Sequence, residues 1–199
     1  MVEQIPVIDA HVHLWNPDQF SMPWLEDVPA LRRSFGLQEY YEQTRRLPIV
    51  GMVSVEVGVD PRLALREARS IVELAREEPR LQAIVAAAPV ELGAAVRGHL
   101  EALIALSPLV KGVRRNIQDE AEPDFCPRPD FVEGVRLLAR YGLSFDLCIR
   151  HWQLRSVVEL VRRCPDTVFI LDHLGKPDIK QHVLEPWQSD LRALAERCL

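Results

Sequence analysis

Apolar residues along the chain gather into short β-rich runs, separated by stretches with helical spacing. Residues 5–14, 49–57 ("IVGMVSVEV"), 81–88 ("LQAIVAAA"), 109–117 ("LVKGVRRNI"), 144–150 ("SFDLCIR") and 167–173 ("TVFILDH") predict six strands. Between them, residues 61–79 place Leu65, Ala68, Ile71, Val72 and Ala75 on one helical stripe, with Pro61 in the first turn and Pro79 at the stop. "AAVRGHLEALIAL", "PDFVEGVRLLARYG" and "HWQLRSVVELVRRCP" have the same character, and Gly142 stands where a helix C-cap is expected. Residues 185–199 predict a last amphipathic helix.

Strands alternating with helices through short links mean βαβ units and a parallel sheet. The strand runs are apolar on both faces except near their C-terminal ends, as in a sheet covered by helices. An open doubly wound sheet and a (β/α)8 barrel both fit. No Gly-rich phosphate loop follows the first strand, which ends in His11 and His13 instead; this favours the barrel, whose chemistry gathers at the C-terminal strand ends. Residues 16–34, rich in Pro and Trp, are expected to form a lid or pocket wall.

Side chains alternate across a strand. Asp9, His11 and His13 therefore share one face, with Ile8, Ala10 and Val12 on the helix-facing side. Two imidazoles about 7 Å apart along a strand can converge on one ion; a pair of histidines satisfied within a polar loop is the plainer alternative. The same alternation turns Ser54 and Glu56 inward on the second strand and Gly112, Arg114 and Asn116 inward on the fourth. On the sixth, Phe169, Leu171 and His173 share a face. The fifth strand ends with Arg150 inward and His151 opening the loop. Glu56 serves equally as the structural partner of an arginine, one of Arg114 and Arg115 belongs on the surface, and Lys176 is either a site cation or a loop cap. His99 and His182 receive no role.

Histidines with an acid suit metal-assisted or acid–base hydrolysis, since a bound zinc ion brings its water toward a pKa of ~7. Arg114, Arg150 and Lys176 favour an anionic substrate, because arginine pairs with carboxylates through a bidentate fork. Composition narrows the field. With 199 residues, 48% apolar and 27% charged, the chain reads as one soluble globular domain. The net charge of -5 gives no footprint of a nucleic-acid binder. No apolar run approaches the ~20 residues of a membrane span. Cys126, Cys148, Cys164 and Cys198 lack CxxC spacing and are expected to be reduced core thiols of a cytoplasmic protein.

"IDAHVHLWNP", "MPWL", "VKGVRRNIQDE", "GLSFDLCIRHWQL" and "FILDHLGKPDI" together resemble the amidohydrolase superfamily. The likeness is to the amidohydrolase-2 type, in the lactone hydrolase branch of the fuconolactone and 2-pyrone-4,6-dicarboxylate hydrolases, and it runs over the whole chain. It implies a TIM (β/α)8-type barrel and water attack on the carbonyl of a sugar or dicarboxylate lactone. The family pattern maps its HxH pair onto His11 and His13, its strand-six histidine onto His173 and a substrate-binding arginine onto Arg114. Metal use varies in the branch, so the three histidines hold a divalent ion (zinc or manganese) or polarise the substrate carbonyl directly.

Trp15, Arg150 and His151 join Arg114 as candidate substrate-binding residues, and His173 and Glu56 are the candidate catalytic residues. The family pattern also has eight strands, with an Asp general base at the end of the eighth. Only six β/α units are counted here, so residues 1–199 are expected to be a single barrel domain truncated before strands seven and eight. Such a domain exposes sheet edges and favours self-association as a homo-oligomer. The alternative to a hydrolase is a catalytically incomplete fragment or pseudoenzyme acting as a binding module. A phosphoesterase or nuclease, which other HxH barrels resemble, is disfavoured by the acidic charge.

Overall fold

The computed structural model describes residues 5–196; Cys198 and the end of the last expected helix lie outside the described residues. The strands are β1 (Val7–Val12), β2 (Ile49–Val55), β3 (Leu81–Ala87), β4 (Val110–Arg114), β5 (Ser144–Leu147) and β6 (Phe169–Leu171). The helices are α1 (Leu37–Thr44), α2 (Ala64–Glu77), α3 (Arg97–Leu106), α4 (Pro129–Arg140), α5 (Leu154–Arg163) and α6 (Trp187–Ala195). The strands follow one another in the sheet in chain order, and the pairings β1–β2, β2–β3, β4–β5 and β5–β6 are parallel. A doubly wound sheet reverses its order at a switch point. Chain order without reversal is that of successive units of a barrel, so the fold is α/β with the topology of the first six units of a TIM (β/α)8-type barrel. Among the described residues no helix is long and apolar enough to cross a membrane.

The chain divides into two compact units, one running through Ala87 with Ala102–Lys111, the other comprising Ala88–Glu101 and the chain from Gly112 onward. In the first, α2 packs on β3 and buries Ala68, Ile71 and Val72 of its predicted stripe together with Ala64, while Leu65 and Ala75 are half-buried. Its start differs from expectation: Pro61–Leu63 is a separate 3-10 turn, capped by Asp60 accepting the Arg62 N–H at 3.0 Å. The long segment after β1 is a packed wall. Phe20, Met22 and Leu25 form a cluster with Val57 and Val59, and Trp15, Trp24, Leu31 and Leu63 close over it. Helix α1 was not anticipated. It is only eight residues long, and its start is fixed by Glu39 accepting the Gly36 N–H at 3.0 Å.

In the second unit, α4 lays Phe131, Val132, Val135 and Leu138 into the core. Phe125, Phe131, Phe145 and Phe169 meet edge to face in series at 5.1, 5.9 and 6.2 Å. Gly142, at φ 64°, follows α4 as expected, and Leu143 N–H closes back on Leu138 O at 3.1 Å. Cys126, Cys148 and Cys164 are buried thiols without disulfides.

Every strand ends one to three residues short of its predicted end, the last three among them. β4 ends at Arg114, β5 at Leu147 and β6 at Leu171. The apolar signal ran on because Ile117 and Ile149 are fully buried in loops. Those loops satisfy their backbone outside the ladder, with Gln153 donating to Ile117 O at 2.9 Å. On β1 the expected helix-facing row is only partly covered: Val12 is buried, but Ile8 is 61% exposed.

Candidate active site

At the end of β1, His11 and His13 turn to the same side. Their rings meet edge to face with centroids 4.8 Å apart, closer than the ~7 Å two-residue repeat of a regular strand. The β1–β2 register is irregular between Asp9 and Val12, where this approach occurs. The two Nε2 atoms lie 3.1 Å apart, and Nδ1 of His13 lies 3.0 Å from the carbonyl oxygen of Val55. A carbonyl only accepts, so His13 carries a proton on Nδ1, and the neutral ring then presents a lone pair at Nε2. A carbonyl on the far nitrogen is the outer-shell partner that orients metal-binding histidines. Two nitrogens on one zinc ion lie roughly 2.9 Å apart at a right angle and roughly 3.3 Å apart in tetrahedral geometry. The observed spacing falls between these limits, so the pair fits a common ion.

Asp9, on the same face, is structural. Its Oδ1 accepts the His11 backbone N–H at 3.3 Å and its Oδ2 accepts the Tyr40 hydroxyl at 3.1 Å. Burial, reinforced by Asp9, pushes the Tyr40 phenol up to about 12. Glu56 lies just past β2, with Oε2 accepting the Gly58 N–H at 2.6 Å. Trp15 pairs through its backbone with Phe35, donates from Nε1 to Leu31 O at 3.3 Å and packs on the Phe35 ring at 4.4 Å. These contacts tie it into the wall after β1.

The second unit holds the cationic residues. Arg114 is buried at the end of β4 and donates from Nη1 to Asp172 Oδ2 at 3.4 Å. Asp172, also buried, is the first residue past β6. His173 follows in a turn with φ 51°, so strand alternation does not govern its direction. Lys176 Nζ contacts Gln118 Oε1 and lies 3.4 Å from Cys148 Sγ. Burial pushes the Cys148 thiol up, against the pull of Arg114 and Lys176. His151 donates from Nδ1 to Lys176 O at 3.1 Å. Arg150, three residues beyond β5, is half exposed; it donates to Gln118 O at 3.3 Å and faces Asp119 at 3.7 Å. It lies past the end of β5, so strand alternation does not set its direction. Arg115, with partners Glu91 and Glu120, is the outward member of its pair.

The amidohydrolase family model matches residues 8–198. This chain belongs to the amidohydrolase family. The uncharacterized protein y4mH of Sinorhizobium fredii is 26% identical, over 98% of this chain and 71% of its own length. An L-fucono-1,5-lactonase of Burkholderia ambifaria is 25% identical, over 94% of this chain and 63% of its own. The crystal structure of an amidohydrolase from Burkholderia multivorans with bound zinc is 25% identical and superposes with a TM-score of 0.80, covering 95% of this chain and 66% of that one. The chain spans 63% of the length of that lactonase. Two residues of these clusters escaped the sequence reading of this amidohydrolase. Asp172 was hidden because alternation placed its neighbour His173 inward. Gln118 is an uncharged loop residue and carries no chemical signal of its own.

Proposed function

We propose that this chain belongs to a hydrolase that opens a lactone by attack of water on its carbonyl carbon. His11, His13 and His173 are the proposed ligands of one divalent cation, zinc or manganese. Neutral imidazole matches the nitrogen donors such ions take. The observation that carries the reading is the 3.1 Å approach of the two Nε2 atoms, with the His13 proton held on the opposite nitrogen. The cation, when bound, supplies Lewis-acid polarisation and a water acidified toward ~7.

The other roles fall to the chain's own residues. Arg114, Arg150 and Lys176 supply positive charge for an acidic lactone, while His151 and Trp15 offer polar and aromatic contacts to a sugar ring. Glu56, whose carboxyl accepts the Gly58 N–H, is the candidate base for the proton that water loses. The L-fucono-1,5-lactonase relative supports sugar lactones as the substrate class.

Elemental analysis tests the ligands: His11→Ala/His13→Ala is expected to lose the bound zinc or manganese of the parent, and equal metal content in both refutes the cation role. Acid release from a panel of sugar and dicarboxylate lactones tests the chemistry. Glu56→Gln is expected to abolish turnover, and an unchanged rate removes Glu56 as the base.

A further inference from the structure

The end of β2 is held more firmly than strand pairing requires. Val55 O accepts from His13 Nδ1 at 3.0 Å, and Glu56 N–H donates to Val85 O at 2.9 Å. Past the strand, Val57 N–H donates to Glu67 Oε1 at 2.8 Å, and Val57 O accepts from Trp24 Nε1 at 2.7 Å. Gly58 closes the turn at φ 67°, with the Trp24 ring against it.

Glu67 is the anomaly in this set. It lies on the buried stripe of α2 beside Ala64, Ala68 and Ile71, where amphipathicity calls for an apolar residue. It shares a small interior space with Leu14, Ile84 and Val85. A buried carboxyl is costly unless bonded, and this one bonds a backbone N–H lying just beyond the strand.

We infer that Glu67 is a positioning residue for His13. The peptide planes on either side of Glu56 are both pinned, one by Val85 O and one by Glu67. The Val55 carbonyl is left with one direction. That direction keeps the His13 proton on Nδ1 and the lone pair on Nε2. The inference rests on the proposed function for its consequence, metal affinity; the tautomer itself is a property of the metal-free chain.

Long-range proton–nitrogen correlation spectra of the metal-free, 15N-histidine-labelled chain read the tautomer directly. The parent and Glu67→Gln, which keeps an acceptor oxygen, are expected to show His13 protonated on Nδ1. Glu67→Leu is expected to show a mixture of tautomers, together with a roughly 10–100-fold loss of cobalt(II) affinity, the range for lost outer-shell partners. A folded Glu67→Leu chain that keeps the pure Nδ1–H tautomer overturns the inference, as does a parent protonated on Nε2. If Glu67→Leu does not fold, Glu67→Ser, too short to reach Val57 N–H, is read by the same criterion. A parent that binds no cobalt removes the proposed function and leaves the tautomer result standing. Cobalt binding in the parent with an unchanged tautomer in the variants removes only the positioning role.

Discussion

Arg114 and Asp172 form a buried ion pair, with side chains 6% and 2% exposed and 3.4 Å between Nη1 and Oδ2. Arg114→Met keeps the apolar stem and takes the guanidinium away from the buried Asp172 carboxylate. Two unit charges about 4 Å apart attract by about 4 kcal/mol at an effective dielectric near 20. Removing one partner of a buried pair costs about 3–5 kcal/mol, because the other charge stays behind in the interior. Set against a typical stability of about 5–15 kcal/mol, that is a large share. A chain of this length should lose roughly 10 °C in Tm, at about 2–4 °C per kcal/mol. The measurement is a double-mutant cycle in urea. Asp172→Asn in the Arg114→Met background removes the remaining charge of the pair, so the double variant should be more stable than the two single losses added together. If Arg114→Met costs under about 1 kcal/mol, or the two losses simply add, the pair is not coupled as the geometry implies. In that event a rise in KM for an acidic lactone, with stability unchanged, would assign Arg114 wholly to substrate.

Three further outcomes follow from local geometry. Tyr40, raised to about 12 from an ordinary value near 10, keeps in the folded state a proton that the unfolded chain loses. Its contribution is therefore whole below pH ~10 and lost as pH climbs to ~12; urea midpoints should fall across that window in the parent and less in Tyr40→Phe. Gly134→Ala in α4 would set a Cβ 1.9 Å from Val90 O, and its urea midpoint should report a loss of at least about 1–3 kcal/mol, the usual cost of overpacking. Cys126 and Cys164, each pushed up to about 11 by burial, should resist iodoacetamide in the native chain at neutral pH; rapid native labelling, read by peptide mapping, contradicts their burial.

Legibility in the sequence followed periodicity. The α2 stripe and the cap at Gly142 were readable because helical spacing and glycine at positive φ have direct physical causes. The shared side of His11 and His13 was readable from alternation, but their close approach was not, since it accompanies an irregular register with β2. Alternation ceased to govern side chains past the ends of β5 and β6. Arg150 and His173 both lie past the last paired residue, and the "GKP" turn signal after His173 is what points to an early end of β6. Helix α1 was missed because eight residues with Leu37, Tyr40 and Tyr41 give too little period to stand out from the loop before it. Glu67 was invisible as a functional residue because nothing in α2's own pattern says what its carboxyl reaches.

The turn after β6 joins these threads. His173, Leu174, Gly175 and Lys176 have φ of 51, 54, 68 and 51°, so four consecutive residues are left-handed. Only glycine adopts that region freely; each other residue costs about 1–2 kcal/mol. Such strain persists where the surroundings over-determine it. Here Lys176 N–H closes on His173 O at 2.9 Å, while side chains take the carbonyls the turn exposes: Trp187 Nε1 donates to Leu174 O at 2.7 Å and His151 to Lys176 O at 3.1 Å. A relaxed continuation of β6 would carry Asp172 and His173 to opposite faces. The left-handed turn frees His173 from that alternation while Asp172 stays buried against Arg114. The same logic holds at β2, where Glu67 and Trp24 pin the backbone that aims His13. In both places a side chain fixes a backbone group, and that group sets the direction of an imidazole. Substitutions at Trp187 or His151 are therefore expected to disturb His173 through the backbone carbonyls they hold.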